Sequence, residues 1–233
     1  MVTVAAIVPA AGRGTRLGPG PPKALRDLAG VPMLVYAARA LAAARLVDRV
    51  VVAAPPDEVA AVSTLLASAV LADVLVVAGG ATRRESVARA LAALGPDVDV
   101  VLVHDAARPL APPDLADRVA AAVQAGADAV VPGLPVTDTV KRVGVDGVVV
   151  QTLDRAALRA VQTPQGFARR VLAQAHAEGA GVDTATDDAE LVERLGWPVR
   201  VVTGSEEAFK VTRPLDLVLA EAILERRRDG RVS

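Results

Sequence analysis

Short β-branched runs alternate along the chain with alanine-rich stretches of helical length, and this alternation limits the fold more than any other feature. The apolar runs fall at 3–8, 49–53, 74–78, 99–103, 129–131, 160–162 and 199–202. The helical stretches fall at 33–44, 56–69, 86–94, 113–125, 168–178, 187–195 and 215–227. Strands that are apolar at nearly every position suit a sheet covered on both faces, and intervening helices make that sheet mainly parallel. The expected class is α/β, with a Rossmann-like, mostly parallel sheet flanked by helices. No repeat or linker divides the chain, so residues 1–233 are expected to form a single domain. Such sheets bind ligands beyond the carboxyl ends of their strands. The segments to inspect are therefore 9–23, 79–86, 104–109 and 132–141.

One region breaks the rhythm. Between 132 and 155 two β-rich runs flank Asp146-Gly147, a hairpin signal. The expected product is an arm over 134–158 that projects from the domain. An isolated two-stranded unit is marginal in water, and this one carries Val143, Val145, Val148, Val149, Val150 and Leu153. It must pack on something. Exchange of arms between two copies is a low-cost route to a two-fold dimer, so a homodimer through the arm is expected.

Composition removes whole classes of function. Lys plus Arg number 26 against 27 Asp plus Glu, a formal net charge of −1, which gives no general attraction for nucleic acid or an anionic membrane. There is no cysteine, which excludes disulfides, thiolate catalysis and zinc–sulfur sites. Only His104 and His176 are available as imidazoles, too few for a His-rich metal site. The longest uncharged stretch, 59–72, is too short to span the ~30 Å of a bilayer core. The apolar N-terminus has no preceding Lys or Arg and runs into a Gly/Arg loop, so it reads as a first strand rather than a leader. A soluble, cytoplasmic protein is expected.

The loops after the strands carry the chemistry. Ala10-Ala11-Gly12-Arg13-Gly14-Thr15-Arg16-Leu17-Gly18 follows the first strand, and Pro22-Lys23 comes shortly after. Small residues let backbone N–H groups approach an anion, and Arg16 and Lys23 add charge. The glycine spacing matches neither the dinucleotide fingerprint nor the P-loop. Gly79-Gly80-Ala81-Thr82-Arg83-Arg84-Glu85-Ser86-Val87 follows the third strand, and Ser86 reads equally well as a helix N-cap. His104-Asp105-Ala106-Ala107-Arg108-Pro109 follows the fourth. Asp105 is a hard oxygen ligand of the kind Mg²⁺ prefers, and Arg108 could face a substrate anion. The plainer reading is a surface Asp–Arg pair. Thr163-Pro164-Gln165-Gly166-Phe167 and Thr184-Ala185-Thr186-Asp187-Asp188 come later, with Thr186 a candidate N-cap. Lys210 sits just before the last helix.

The first loop, with Leu28-x-Gly30-x-Pro32 beyond it, resembles the signature of sugar-phosphate nucleotidyltransferases. The full order AAGxGxRLG…PK, GGxxRxxSV, HDAARP, DTVK, DR, TPQxF, TDD and KVT resembles one family closely, the 2-C-methyl-D-erythritol 4-phosphate cytidylyltransferases, over roughly residues 3–217. Leu17 stands where that family commonly has Met, and Ala81 where some members carry a polar or acidic residue. The resemblance implies transfer of CMP from CTP to a polyol phosphate with release of pyrophosphate. It also implies roles for individual residues. Arg16 and Lys23 would neutralise the triphosphate, and Lys210 would stabilise the α-phosphate. Gly80, Ser86 and the backbone of Ala10, Ala11 and Gly12 would hold the cytidine, and Asp105 would hold Mg²⁺. The acceptor would be held by Asp105, Arg108, Thr139, Arg155, Thr163 and Thr186, with Arg155 on the arm and able to serve the neighbouring subunit. A phosphate monoester has a second pKa near ~6 and is largely dianionic at neutral pH, so no general base is needed. Two competing readings share these motifs. One is a ribitol-5-phosphate cytidylyltransferase, separated only by the acceptor pocket. The other is a non-catalytic nucleotide-binding module, against which the retention of every charged motif residue argues.

Overall fold

The computed structural model describes residues 2–12, 21–69, 71, 74–178 and 185–230. Its centre is an eight-stranded mixed sheet. The parallel part comprises β1 (Val4–Pro9), β4 (Arg49–Ala54), β5 (Leu75–Ala78) and β6 (Val100–Val103), preceded in the case of β4 by a small β2 (Asp27–Leu28) and β3 (Val31–Pro32) hairpin. Next come β7 (Ala129–Pro135), the separate pair β8 (Lys141–Val143) and β9 (Val149–Thr152), then β10 (Arg159–Val161), β11 (Gln165–Ala168) and β12 (Val199–Thr203). The order across the sheet is β10-β7-β11-β6-β1-β4-β5, with β12 parallel to β7.

The alternating geometry of a strand sorts the central residues onto two faces. Val4, Ala6 and Val8 pack with Val50, Val52, Val100 and Leu102 on one side, where α1 (Met33–Ala42), α2 (Val59–Ser68) and α4 (Pro113–Gln124) cover them. Ala5, Ile7, Val51, Val101 and Val103 face the other side, under α3 (Arg83–Ala92), α5 (Arg169–Glu178) and α6 (Asp188–Arg194). The last helix, α7 (Pro214–Asp229), sits on a third cluster in which Leu28 and Met33 meet Val211, Ala220 and Leu224. The α/β expectation holds, including the two helix layers.

Strand β11 is an addition to the strands expected from the sequence, which pass from 160–162 to a helix at 168. It lies antiparallel between β6 and β7. Gly166 at its centre is a packing requirement, because a Cβ there would come within 2.6 Å of Val119 and 3.0 Å of Leu102. Helix starts also shift. Helix α3 begins at Arg83 with Thr82 as its N-cap, accepting from the Glu85 N–H, so Ser86 lies inside the helix and is not its cap. The N-cap of α6 is Asp187, not Thr186.

The arm leaves the sheet between Pro135 and Arg159, which pair across β7 and β10. Strands β8 and β9 form an antiparallel hairpin of their own, hydrogen-bonded to no other strand among the described residues. Every residue in both strands is exposed.

Candidate active site

Three strand ends converge on one pocket. Beyond β1, the Ala10 N–H bonds the Ala53 carbonyl at 2.8 Å and keeps the first loop in line with β4. Lys23, at the start of a 3-10 turn over Lys23–Leu25, faces the same space. Beyond β5, Gly79 and Gly80 make a turn fastened from all sides. The Gly79 N–H donates to Ala54 O, Arg89 donates to Gly79 O at 2.7 Å, and the Gly80 N–H donates to Ser86 Oγ at 3.0 Å. The buried Ser86 hydroxyl in turn donates to Thr82 O at 2.9 Å. Both glycines are there for space: a Cβ on Gly79 would meet Ala11 Cβ at 2.6 Å, and one on Gly80 would meet Glu85 Cβ at 2.2 Å. The two glycine-bearing loops are thus in contact through Ala11.

Beyond β6, the turn from His104 to Arg108 is held by a chain of hydrogen bonds. The Asp105 N–H donates to Thr163 Oγ1 at 3.0 Å. The Thr163 hydroxyl lies 3.0 Å from His104 Nδ1, and His104 Nε2 lies 3.2 Å from the Arg108 carbonyl. A carbonyl can only accept, so Nε2 carries the proton and Nδ1 accepts from Thr163. Burial pushes His104 down to about 4, which keeps the ring neutral at physiological pH. Thr163 is buried in this chain and sits behind the pocket, orienting Asp105.

The Asp105 carboxylate faces the pocket between two cations. Arg83 Nε lies 3.2 Å from Oδ1 and Lys210 Nζ 2.7 Å from Oδ2. Burial alone would raise the Asp105 pKa, but the charges of Arg83 and Lys210, with Arg108 beyond, outweigh it and hold the carboxyl well below the usual range. This arrangement replaces the expected surface pair of Asp105 with Arg108. The Arg108 guanidinium instead donates to the carbonyls of Ala208 at 2.7 Å and Val161 at 3.2 Å. With Val211 N–H on Ala107 O at 2.8 Å, that clamp brings Lys210 to Asp105.

The pocket is therefore lined by Ala10, Ala11, Gly12, Lys23, Gly80, Arg83, Ser86, Asp105 and Lys210, among others. Eight expected site residues meet here. Arg16 lies outside the described residues. Thr186 borders an adjoining pocket with Arg83 and Asp188, its N–H bonded to the Glu190 carboxylate at 2.6 Å. Thr139 and Arg155 belong to the exposed arm, where Arg155 donates to the Thr137 carbonyl. Neither lines this chain's pocket. The sequence reading missed Arg83 as a site group, although it quoted the residue within GGxxRxxSV. It also missed Asp188, which accepts from Arg83 NH1 at 2.6 Å. The only clue to Asp188 was its place in the TDD motif.

Asp105 is the one carboxylate among the described lining residues, and no group of three acidic or histidine side chains among the described residues could hold a metal. A single hard oxygen donor fits Mg²⁺, which takes one or two carboxylates and fills its shell with phosphate oxygens and water.

A glycine-walled, lysine-rimmed pocket at the carboxyl ends of the parallel strands is the site of an α/β enzyme that acts on a phosphorylated nucleotide. The chain belongs to the 2-C-methyl-D-erythritol 4-phosphate cytidylyltransferase family, whose model matches residues 4–226. It is similar to the family's protein from Streptomyces coelicolor, at 59% identity covering 96% of this chain and 86% of that one. The Frankia casuarinae protein is 62% identical, covering 96% and 82%. Among solved structures, the cytidylyltransferase of Thermus thermophilus aligns with a TM-score of 0.76 at 39% identity, covering 95% and 98%. The 4-diphosphocytidyl-2C-methyl-D-erythritol synthase of Anaerococcus prevotii aligns at 0.84 and 27%, covering 96% of each chain.

Proposed function

We infer that the chain transfers CMP from CTP to 2-C-methyl-D-erythritol 4-phosphate, releasing pyrophosphate. The observation that carries this is the meeting of Lys23, Lys210 and Asp105 with two glycine-bearing loops in one pocket. The acceptor phosphate attacks the α-phosphorus and the bond to pyrophosphate breaks. The chain's task is alignment and neutralisation of charge. Lys23, with Arg16, draws charge from the triphosphate and the leaving pyrophosphate, and Lys210 serves the α-phosphate as charge builds there. The Gly80 turn, tied by Ser86, takes the cytosine edge, with the backbone of Ala10, Ala11 and Gly12. Asp105 would hold Mg²⁺, which would supply neutralisation of phosphate charge.

The buried His104, with both ring nitrogens engaged, is no candidate for a base, and a dianionic phosphate requires none. The acceptor lies against Asp105 and Thr186, with Arg108 and Thr163 holding the wall behind. Thr139 and Arg155 reach the acceptor in the partner's pocket of a homodimer joined through the arm. The exposed arm valines support that assembly. Among the described residues no helix is long and apolar enough to cross a membrane, and the reaction's water-soluble substrates suit the cytoplasm.

The test is pyrophosphate release across CTP, UTP and ATP against methylerythritol phosphate and ribitol 5-phosphate. Turnover is expected with CTP and methylerythritol phosphate above every other pair. Preference for ribitol 5-phosphate would replace the acceptor, and CTP binding without turnover of either would replace catalysis with sensing.

A further inference from the structure

Behind the pocket lies a pair of side chains that the reaction as derived does not use. Asp188 opens α6 and is 1% exposed, and the His176 side chain on α5 is 4% exposed. His176 Nε2 lies 2.9 Å from Asp188 Oδ1, while Asp188 Oδ2 takes Arg83 NH1 at 2.6 Å. Arg83 passes the contact on, with its Nε on Asp105 Oδ1 at 3.2 Å. Among the described residues His176 Nδ1 is buried without a hydrogen-bond partner, and the ring's one hydrogen bond there is to Asp188. Helix packing gives no reason for this. An apolar ring would fill the same space without stranding a polar atom.

The arrangement makes sense as a division of carboxylate oxygens. A guanidinium beside a lone carboxylate prefers a bidentate pair, two parallel bonds to both oxygens. If Arg83 closed on Asp105 in that way, it would take the oxygen now held by Lys210. Asp188 engages NH1, on the far side of the guanidinium from Nε, and this second anchor fixes the plane and reach of Arg83 with Nε alone on Asp105. Asp188 can do so only while its own carboxylate is fixed, and His176 supplies the second bond that fixes it.

We propose that His176 and Asp188 are positioning residues for the transfer reaction, holding Arg83 in single contact with Asp105 so that the other Asp105 oxygen stays with Lys210 and keeps that lysine in place at the pocket. This rests on the reading of the Asp105 pocket as the active site. Both side chains are buried, and they act through Arg83. Their loss shows in turnover, because the groups they align act at the reacting phosphate and the Gly80 turn is untouched.

The experiment compares His176→Phe, which fills the space and removes the donor, with His176→Gln, whose terminal amide N–H reaches about where Nε2 stands. For each, kcat and the KM for CTP are measured by pyrophosphate release, alongside the melting temperature. Expected is a loss of about tenfold in kcat for the Phe variant, with KM for CTP changed less than about threefold, as for a misaligned reacting group. The Gln variant recovers at least about half of the lost turnover. Wild-type kcat in the Phe variant overturns the proposal. Equal losses in both variants that follow the melting temperature also overturn it, since they mark a packing role. Should His176→Phe fail to fold, His176→Asn takes its place against His176→Gln, because the shorter amide cannot reach Asp188. A Lys23→Ala control separates the two readings. If it retains full turnover, the pocket assignment fails; if it is inactive while His176→Phe is not, only the positioning role fails.

Discussion

The pocket wall and the arm are both chain that leaves the ends of strands, yet they treat their side chains in opposite ways. In the wall, polar groups are matched by partners: Asp105 by Arg83 and Lys210 and Thr163 by His104, from distant segments, and Gly80 by Ser86, from within its own turn. In the arm, Val143, Val148, Val149 and Val150 are all more than half exposed, and Val145 stands fully in solvent. A wall whose polar groups satisfy one another is complete within one chain. An apolar arm that nothing among the described residues covers is not, and it carries two expected substrate-binding residues, Thr139 and Arg155, outside the pocket. On the proposed reading, the difference separates what one copy does alone from what two copies would do together.

The sharpest way to break the first half of that comparison is to remove a charge from the wall. Lys23→Ala is expected to lower turnover by about a hundredfold or more with the fold intact, as for loss of a preorganised charge, and Arg16→Ala, at the residue proposed to share the triphosphate, is expected to do likewise. Wild-type rates in either variant would end the phosphate-cradle assignment. Asp105→Asn is expected to cost a comparable factor and to raise the Mg²⁺ concentration at half-maximal rate. Excess chelator is expected to abolish turnover of the wild-type protein, and full activity in chelator would remove the metal from the account.

The arm tests the second half, with smaller effects. Sedimentation at micromolar concentration is expected to show a dimer, and Val149→Asp, which places a charge on the apolar hairpin, is expected to yield monomers about tenfold less active. Mixing Arg155→Ala chains with Lys23→Ala chains distinguishes the arrangements directly. In an equal mixture half the dimers are mixed, and each mixed dimer has one intact site of two, so about a quarter of wild-type activity is expected to return. No recovery on mixing would make each chain self-sufficient and the arm a cover for its own site.

How far all this was legible depended on the range of the forces involved. Strands β1, β4 and β6 are apolar at nearly every residue because both faces are covered, and that requirement is written locally. Strand β11 has no β-branched residue, follows Pro164 and contains Gly166. Its identity is fixed by α4 pressing on that glycine, a contact invisible in the local pattern. The glycine-bearing loops were readable because a tight backbone approach demands small residues in sequence. Arg83, Asp188 and His176 were not, since their partners lie 22, 105 and 12 residues away and only folding selects them. His104 was readable as part of HDAARP, but its service as a neutral strut needed Thr163, 59 residues on.

That strut gives the smallest effect, one of stability rather than rate. His104 has its folded pKa lowered from 6.5 to about 4 by burial, so between those values the unfolded chain binds a proton that the folded chain does not. Stability rises with pH wherever the unfolded state binds more protons. The contribution is therefore fully present above about pH 6.5 and is lost as pH falls toward about 4. The full span amounts to ~3 kcal/mol at about 1.4 kcal/mol per pKa unit. Urea unfolding of the wild-type protein at a series of pH values is expected to show this slope, with m unchanged. His104→Asn, less stable at neutral pH because it breaks the bonds to Thr163 and the Arg108 carbonyl, is expected to flatten it. If the variant keeps the wild-type slope below pH 6.5, the acid sensitivity belongs to other groups and the neutral strut is wrong. If the slope flattens, the wall of the pocket carries its own acid limit, independent of the arm.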